Sequence, residues 1–390
     1  MKILVLNYYP LVVPPTSGGE ARLYNLYYNM AKDNPDLQIT FLGPYYGPAQ
    51  EARVAKILPN FESRWVPKGE AHHHFLPLVL KDLELGVDPH GINSIVCSRL
   101  ASNLGRECMK VYEDHDLIIH EHPYENYSDP LAGHDNKPRI YSSHNVESEM
   151  FCAFSNNICF HAIIEECELD LVKKADKVFA VSEKDKEHFL KYNEEVAVIP
   201  NGFDEHQTRK TLDLKISSPY SGKRVLLFIG SSHKPNVDAA NYIINTLSPT
   251  MPDSDFVICG SCCGHIDAIP GENVYIKGFV SDALKNELMH TATAFINPIS
   301  SGGGSNLKII EAMASGTRVV STHFGARGYD ITEKGILYTC DLRDMAETIE
   351  FACGDRAYPD NFKNWSEEIY EKYSWRNISK KFAAEAKGLL

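Results

Sequence analysis

The sequence predicts an α/β protein built as two doubly wound domains, each a mostly parallel sheet with helices on its faces. Three observations carry that expectation. The chain has 390 residues, more than the about 250 to 300 that one core usually supports. Short, continuous apolar runs, the mark of strands buried on both faces, alternate along it with stretches of helical period. Each half also opens in the same way, with a strand, a glycine-bearing loop and a helix. In the first half these are KILVLNYYP and Ser17-Gly18-Gly19-Glu20; in the second, KRVLLFIG and the loop from Gly230 to Asn236.

Composition narrows the class. Apolar residues make up 43% of the chain and the formal charge is −13. The first figure is ordinary for a globular protein, while the second argues against nucleic acid, whose recognition depends on neutralising phosphates with Lys and Arg. No apolar run approaches the about 18 residues of a membrane helix. MKILVLNYYP also lacks the charged start, long apolar core and cleavage site of a signal peptide. The expected location is cytoplasmic, with peripheral contact at the inner face of the plasma membrane left open. Ten cysteines without a secreted-domain framework fit a reducing compartment. Cys259, Cys262 and Cys263, with His265 nearby, have C-x-x-C spacing but no second pair, so buried thiols and a turn are expected there rather than zinc. Asp114-His115-Asp116 and Asp253-Ser254-Asp255 have D-x-D spacing in turn-like polar sequence, and no metal is expected at either.

In chain order, the first strand leads through the Gly18-Gly19 loop into ARLYNLYYNMAKDN, where Leu23, Leu26, Tyr27 and Met30 have helical spacing. LQITFLG is the second strand. Between Pro44 and Arg106 the pattern is weaker: the run His72-His73-His74 reads as a polar loop, and one helix is expected from Ile92 to Lys110. DLIIHEHPY is a strand with a polar tip, whose alternation puts His120 and His122 on one side and Glu121 on the other. RIYSSHNVESEM delivers His144 and Glu147. A helix follows over Phe160–Lys174, then a strand, a helix capped by Ser182, and VAVIPNGFD. Residues from Glu205 to Gly222 are polar without a strong period and mark the expected boundary. The first domain is thus expected over 1–206 and the second over 222–371. In the second, DFVICG, VYIKGFV, TAFINPI and RVVSTHFGARGYDI supply strands, with helices over Ala239–Leu247 and Ala283–His290, and the chain ends in a periodic segment over about 372–390.

The stretch TAFINPISSGGGSNLKIIEAMASG carries the chemistry. It reads as a strand, a turn over Ser300–Ser305, and a helix from Asn306 to Gly316. Glycines let backbone N–H groups approach a ligand, and a helix start holds about half a positive charge, so the place suits an anion. Lys308 adds a full charge, and the Glu311 carboxylate can accept both hydroxyl hydrogens of a ribose. Loop, lysine and glutamate together describe a nucleoside diphosphate site.

This segment resembles the donor-nucleotide motif of the retaining GT-B glycosyltransferases of the group 1, family 4 type, whose helix reads like LKIIEAMASG. The resemblance extends over nearly the whole chain and is strongest at residues 1 to 30, 140 to 204, 223 to 238 and 274 to 330. Two departures are visible: Gly303 stands where the commonest form of the motif has a first glutamate, and Asn306 where a glycine-rich branch has an arginine. The resemblance implies the GT-B fold, two Rossmann-like domains facing a central cleft, with the C-terminal helix packing back on the first domain. It further implies that Gly18, Gly19, Gly230, Lys234, Gly303, Gly304, Ser305, Asn306, Leu307 and Glu311 surround the donor, that the cation of the Gly230 loop meets the leaving diphosphate, with Lys234 favoured and His233 also open, and that Gly278, Phe279 and Val280 line the base. Lys308 is implied at the leaving diphosphate. A histidine at the reacting sugar is implied as well, with His122 favoured, then His144, and His120 also open.

The reaction implied is transfer of a sugar, with retention, from a nucleoside diphosphate (UDP before GDP) to a saccharide or glycolipid hydroxyl, without metal or cofactor, in bacterial polysaccharide or glycoconjugate synthesis. Three other classes share features of the sequence. A sugar-nucleotide epimerase has the same fold, and a donor-binding, catalytically weak partner subunit is suggested by Gly303 and Asn306. An oxidoreductase would need a G-x-G-x-x-G fingerprint, which Asn7 to Gly19 does not supply.

Overall fold

The computed structural model describes residues 1–47, 52–81, 89–100, 102–152, 155–212, 223–303, 305–329, 335–354 and 367–390. The chain forms two compact units, Met1–Pro200 with Ile378–Leu390, and Asn201–Asn377. The division falls before the polar stretch expected to mark it. Residues Glu205–Leu212 form a helix of the second unit rather than an irregular linker, and 213–222 lie outside the described residues.

The first unit holds an eight-stranded sheet of β1 (Lys2–Leu6), β2 (Gln38–Tyr45), β3 (Arg53–Leu58), β4 (Phe61–Pro67), β5 (Leu117–Glu121), β6 (Arg139–Ser142), β7 (Lys177–Ala180) and β8 (Val196–Val198). Their order is β3-β4-β2-β1-β5-β6-β7-β8. All pairs are parallel except the β3–β4 hairpin at the edge. Ile3 to Leu6 and Leu117 to Ile119 are fully buried, as expected for central strands covered on both faces. The helix Gly18–Asp33 returns the chain from β1 to β2, burying Leu23, Leu26, Tyr27 and Met30 as the spacing predicts. Its start is fixed by a capping box between Ser17 and Glu20. The C-terminal helix Trp375–Lys387 belongs to this unit from Ile378 onward: Ser379 donates to the Leu26 carbonyl at 2.9 Å, and Phe382 packs edge-on against Tyr27 and Phe179.

Two local expectations are corrected. His72, His73 and His74 lie in a helix, Glu70–Lys81, not a loop, because His72 turns inward and is buried. The single helix expected over Ile92–Lys110 is two, Pro89–Ser98 and Asn103–Val111. Ser102 breaks it by capping the second helix, its hydroxyl accepting from the Gly105 N–H at 3.0 Å.

The second unit has a fully parallel six-stranded sheet of β9 (Arg224–Ile229), β10 (Ser254–Cys259), β11 (Val274–Gly278), β12 (Ala294–Asn297), β13 (Val319–Thr322) and β14 (Leu337–Cys340), in the order β11-β10-β9-β12-β13-β14. The helix expected from Ala239 begins earlier, at Lys234, with Pro235 in its first turn, where a missing N–H costs nothing. Cys259 and Cys262 are buried thiols at the end of β10 and in the following turn, with Cys262 pressed against Gly230. In both sheets the first strand of the unit lies at the point where strand order reverses, β1 between β2 and β5, and β9 between β10 and β12. Loops leaving the carboxyl ends of strands at such a point are the usual ligand site of doubly wound sheets. Among the described residues, no helix is long and apolar enough to cross a membrane.

Candidate active site

In the second unit, β12 ends at Asn297 and the glycine-rich turn leads to the helix Leu307–Ala314. Asn306 is its N-cap: the side-chain oxygen accepts from the Lys308 N–H at 3.2 Å, while its amide donates to the buried Asn297 at 2.8 Å. Asn306 therefore serves to start and anchor the helix. Gly302 has a φ of 115°, a conformation that favours glycine, and the turn is held from outside. Arg327 donates to the Gly303 carbonyl at 2.6 Å, and Asn201 donates to the Ser305 hydroxyl at 2.9 Å. Gly304 lies outside the described residues.

Glu311 sits one turn into that helix and receives Lys308 Nζ at 2.9 Å and Lys285 Nζ at 3.4 Å. Burial would raise its carboxyl, but the two ammonium groups outweigh it and hold the group down at about 2. The same charge beside Lys285 raises that lysine. The result is an ionised carboxylate, acceptor on both oxygens, with two cations at the start of a helix. Lys285 is 26 residues from Glu311, and sequence spacing gave no signal of the pair.

Other residues expected around the donor come from neighbouring strand ends. Gly230 ends β9, and a Cβ there would lie 2.8 Å from Asn236 and 3.1 Å from the Cys262 sulfur, so the site tolerates only glycine without rearrangement. Lys234, the first residue of the next helix, is mostly exposed and paired with Asp238 at 2.6 Å. Pro235 stands 3.4 Å from where a Gly302 Cβ would be, so the loops after β9 and β12 touch. Gly278, at the end of β11, has a φ of 66°; Phe279 after it is 83% exposed, and Val280 leans on the core. An aromatic ring left in solvent at a strand's carboxyl end is available to a flat ligand.

In the first unit the expected residues gather around β1, β5 and β6. Alternation fails at the tip of β5, because His122 adopts a φ of 64° and leaves the strand. His120 and His122 therefore do not share surroundings. His120 turns to Asp129, a carboxylate already bound by Arg139. His122 instead lies against His144, ring centroids 3.8 Å apart. Each of these two rings has its own carboxylate. His122 Nδ1 is 3.0 Å from Glu147, which also accepts from Tyr124 at 2.7 Å; His144 Nε2 is 2.8 Å from Glu121, which accepts from Tyr27 at 2.5 Å. Burial, and then the neighbouring His122 ring, bring the His144 imidazole down to about 4, so it is neutral at pH 7. Burial pushes the Glu121 carboxyl up, but the bond from His144 outweighs this and keeps it ionised. In this arrangement His144 donates through Nε2–H and offers the lone pair of Nδ1.

That Nδ1 lies 3.8 Å from the position a Cβ would take on Gly19, and the Tyr9 hydroxyl lies 3.1 Å from it. The Gly18-Gly19 helix start, Tyr9, His144 and His122 thus share one edge. Tyr8 and Tyr124 close around His122 at centroid distances of 5.0 and 5.9 Å. Sequence reasoning reached the histidines and glycines here and missed the tyrosines, whose positions just after β1 and β5 are the one clue it held.

Comparison with known proteins sharpens the reading. No curated protein sequence matches the chain. Among solved structures, the sucrose-phosphate synthase from Thermosynechococcus elongatus matches with a TM-score of 0.71 at 15% identity, covering 100% of this chain and 98% of that one. A trehalose-6-phosphate structure from E. coli bound with UDP-2-fluoro glucose matches with a TM-score of 0.71 at 11% identity, covering 100% of both chains. The α,α-trehalose 6-phosphate synthase from Burkholderia multivorans matches with a TM-score of 0.69 at 11% identity, over 100% of this chain and 98% of that one. At such identities the likeness speaks for the fold alone. Residues 16–207 match the family model of glycosyltransferase family 4, and residues 223–355 that of the glycosyl transferases group 1. With both units matched in this way and two Rossmann-like sheets in the GT-B pattern, the chain belongs to the group 1, family 4 glycosyltransferases.

Proposed function

We propose that the protein moves a hexosyl residue from a nucleoside diphosphate sugar, UDP-linked before GDP-linked, to a saccharide or glycolipid hydroxyl with retention of configuration. The setting we assign is bacterial polysaccharide or glycoconjugate synthesis in the cytoplasm, with peripheral membrane contact open. The observation that carries this reading is the Glu311 carboxylate, kept ionised by Lys308 and Lys285 on a helix that begins beneath a glycine-rich turn. The E. coli structure bound with UDP-2-fluoro glucose supports the choice of a UDP-sugar.

Breaking the anomeric C–O bond builds negative charge on the departing diphosphate. The helix start and Lys308 stabilise that charge without reorganising, the kind of electrostatic help that often dominates catalysis. Lys234 adds a second ammonium by releasing Asp238. Glu311 takes the ribose hydroxyls, Gly278 to Val280 the base, and Gly18, Gly19, His122 and His144 the transferred sugar. Retention then follows a same-face route in which the departing phosphate oxygen takes the acceptor proton, and neither metal nor cofactor is needed.

Calorimetric titration with UDP, GDP and ADP, with and without magnesium, tests this. Selective, metal-independent binding of one diphosphate is expected, and product anomers from the matching nucleotide sugar are read by NMR. A second reading, a nucleotide-binding partner subunit with weak turnover, is favoured by Gly303, which brings no carboxylate to the site and whose carbonyl accepts from Arg327. Tight diphosphate binding with no transfer to any acceptor would select it.

A further inference from the structure

The C-x-x-C spacing of Cys259 and Cys262 does not bring those two thiols together. Cys259 ends β10 and packs in the core on one side of the sheet, with Val257 and Ile229; Cys262 packs on the other side, with Ile258 and Phe228. The thiol that meets Cys262 is that of its neighbour Cys263, which leans on the same side. Cys262 is fully buried and Cys263 half-buried, so one of the pair is open to a small reagent. Both side chains turn back toward β10, Cys262 Sγ lying 3.6 Å from the Cys259 carbonyl and Cys263 Sγ 3.5 Å from that of Ile258. The Cys262 thiol donates to the Cys263 sulfur, and this bond, helped against burial by the Gly278 N–H, brings the Cys263 thiol down to about 7. The same pairing, and then burial, push the Cys262 thiol up. An attacking thiolate thus stands beside a thiol that keeps its proton, as in reactive cysteine pairs.

The turn that holds the pair is wedged between two loops expected at the donor. The Gly230 N–H donates to the Cys259 carbonyl at 3.0 Å, and the Cys262 N–H donates to the Gly230 carbonyl at 3.2 Å. Beside them the Ser232 N–H donates to the Ser261 hydroxyl at 2.9 Å. On the other side the Gly260 N–H donates to the Gly278 carbonyl at 2.7 Å. A Cβ on Gly230 would sit 3.1 Å from the Cys262 sulfur, and one on Gly260 would sit 2.0 Å from the Gly230 carbonyl oxygen. At such separations Cys262 cannot shift without shifting Gly230.

We propose that Cys262 and Cys263 are an oxidation site, at which a hydroperoxide closes the two neighbouring thiols into a disulfide and thereby displaces Gly230 and Gly278. The Cys263 thiolate attacks one oxygen of hydrogen peroxide, so that an S–O bond forms, the O–O bond breaks and hydroxide leaves. The Cys262 sulfur then displaces that oxygen: the S–S bond forms, the S–O bond breaks, and the Cys262 proton departs with the oxygen as water. Two electrons pass from the sulfurs to the peroxide, and with the proton that Cys263 gave up the products are the disulfide and two waters. Adjacent residues on a trans peptide have Cα atoms about 3.8 Å apart, closer than the about 4.4 to 6.8 Å usual for disulfides. Closing the ring therefore distorts the turn, and the strain leaves the bond easily reduced by cellular thiols. Only the loss of nucleotide binding that follows rests on the transferase reading.

Treatment of the full chain with hydrogen peroxide, followed by peptide mass spectrometry and amide hydrogen exchange, tests this. The peptide carrying Cys262 and Cys263 is expected to lose the mass of two hydrogen atoms, exchange at Gly230 and Gly278 to rise, and dithiothreitol to reverse both. Cys263→Ser, at the half-buried position, is expected to abolish the response with the fold intact, and Cys259→Ala to leave it unchanged. UDP affinity, read by calorimetry, is expected to fall about tenfold on oxidation, the scale of one or two lost hydrogen bonds, and to stay native in peroxide-treated Cys263→Ser. Thiols that stay reduced, a Cys259–Cys262 bond, oxidation that ends at sulfinic acid, or a Cys262–Cys263 disulfide with unchanged exchange at both glycines would overturn the proposal. A reduced chain that binds no UDP, or an oxidised one with raised exchange and undiminished UDP affinity, would instead count against the transferase reading of these loops alone.

Discussion

The two units place chemistry at the same point of the same kind of sheet, yet charge it in opposite ways. In the second unit the candidate groups are cations around one carboxylate, Lys308 and Lys285 on Glu311, at a helix start only partly buried. In the first, imidazoles are locked to buried carboxylates, His144 to Glu121 and His122 to Glu147, and the His144 ring is neutral at pH 7. A diphosphate carries formal charge that only cations and N–H dipoles can balance, whereas a sugar offers hydroxyls that suit neutral donors and acceptors. Shared topology therefore fixes where a ligand sits, and the side chains at the switch point decide what it is.

The sharpest break in this contrast would come from Lys308. If its ammonium strengthens as the diphosphate departs, Lys308→Ala lowers kcat by about 100-fold or more and changes donor affinity much less. Equal losses in kcat and donor affinity would make the lysine a plain binding group. Glu311→Ala is expected to weaken UDP or GDP binding by about 1.5 to 3 kcal/mol, the scale of hydrogen bonds to a charged group. Calorimetry that finds native affinity in this variant would remove the ribose assignment.

In the first unit, Glu121→Gln leaves two buried donors, His144 and Tyr27, facing a neutral acceptor, and about 1 to 3 kcal/mol of stability should be lost in urea titration. An unchanged midpoint would mean that the pair contributes nothing to the fold. Acid titration separates the units more finely. His144 binds its proton at about 4 in the folded chain against 6.5 when free, so between those values the unfolded state holds more protons and stability falls as pH drops. His144→Asn should flatten that decline. Glu311 works in a lower window: its stabilisation is full above its ordinary 4.5 and fades as pH falls toward about 2. Thermal melts of the two variants that change in the same pH range would contradict this separation. The smallest effect is expected of Gly19→Ala, whose methyl would press on the Tyr9 hydroxyl at 3.1 Å. A stability loss of about 1 kcal/mol or less is expected there, with any larger penalty appearing in sugar transfer.

Much of this was written locally in the chain. The segment from Ala294 to Gly316 declares its own strand, turn and helix through an apolar run, glycines and the Asn306 cap, and the helix after Ser17 announces itself by its capping box. Both depend on neighbours within a few residues. His72 was misread for the opposite reason: three adjacent histidines look solvated, and only packing of the Glu70–Lys81 helix against the helix Pro89–Ser98 turns the first of them inward.

What the sequence determined by itself is therefore the alternation of strand and helix, the doubling of the unit, and the glycine-rich turn that leads into the helix at Leu307, because periodicity, caps and glycines act over one or two turns of chain. Tertiary structure alone decided which histidine meets which carboxylate. His122 leaves its strand by one positive φ and thereby joins His144 rather than His120. Lys285 likewise reaches Glu311 across 26 residues. Such pairs are set by strand order and burial, which bring distant residues to one edge of a sheet, and no local spacing encodes them.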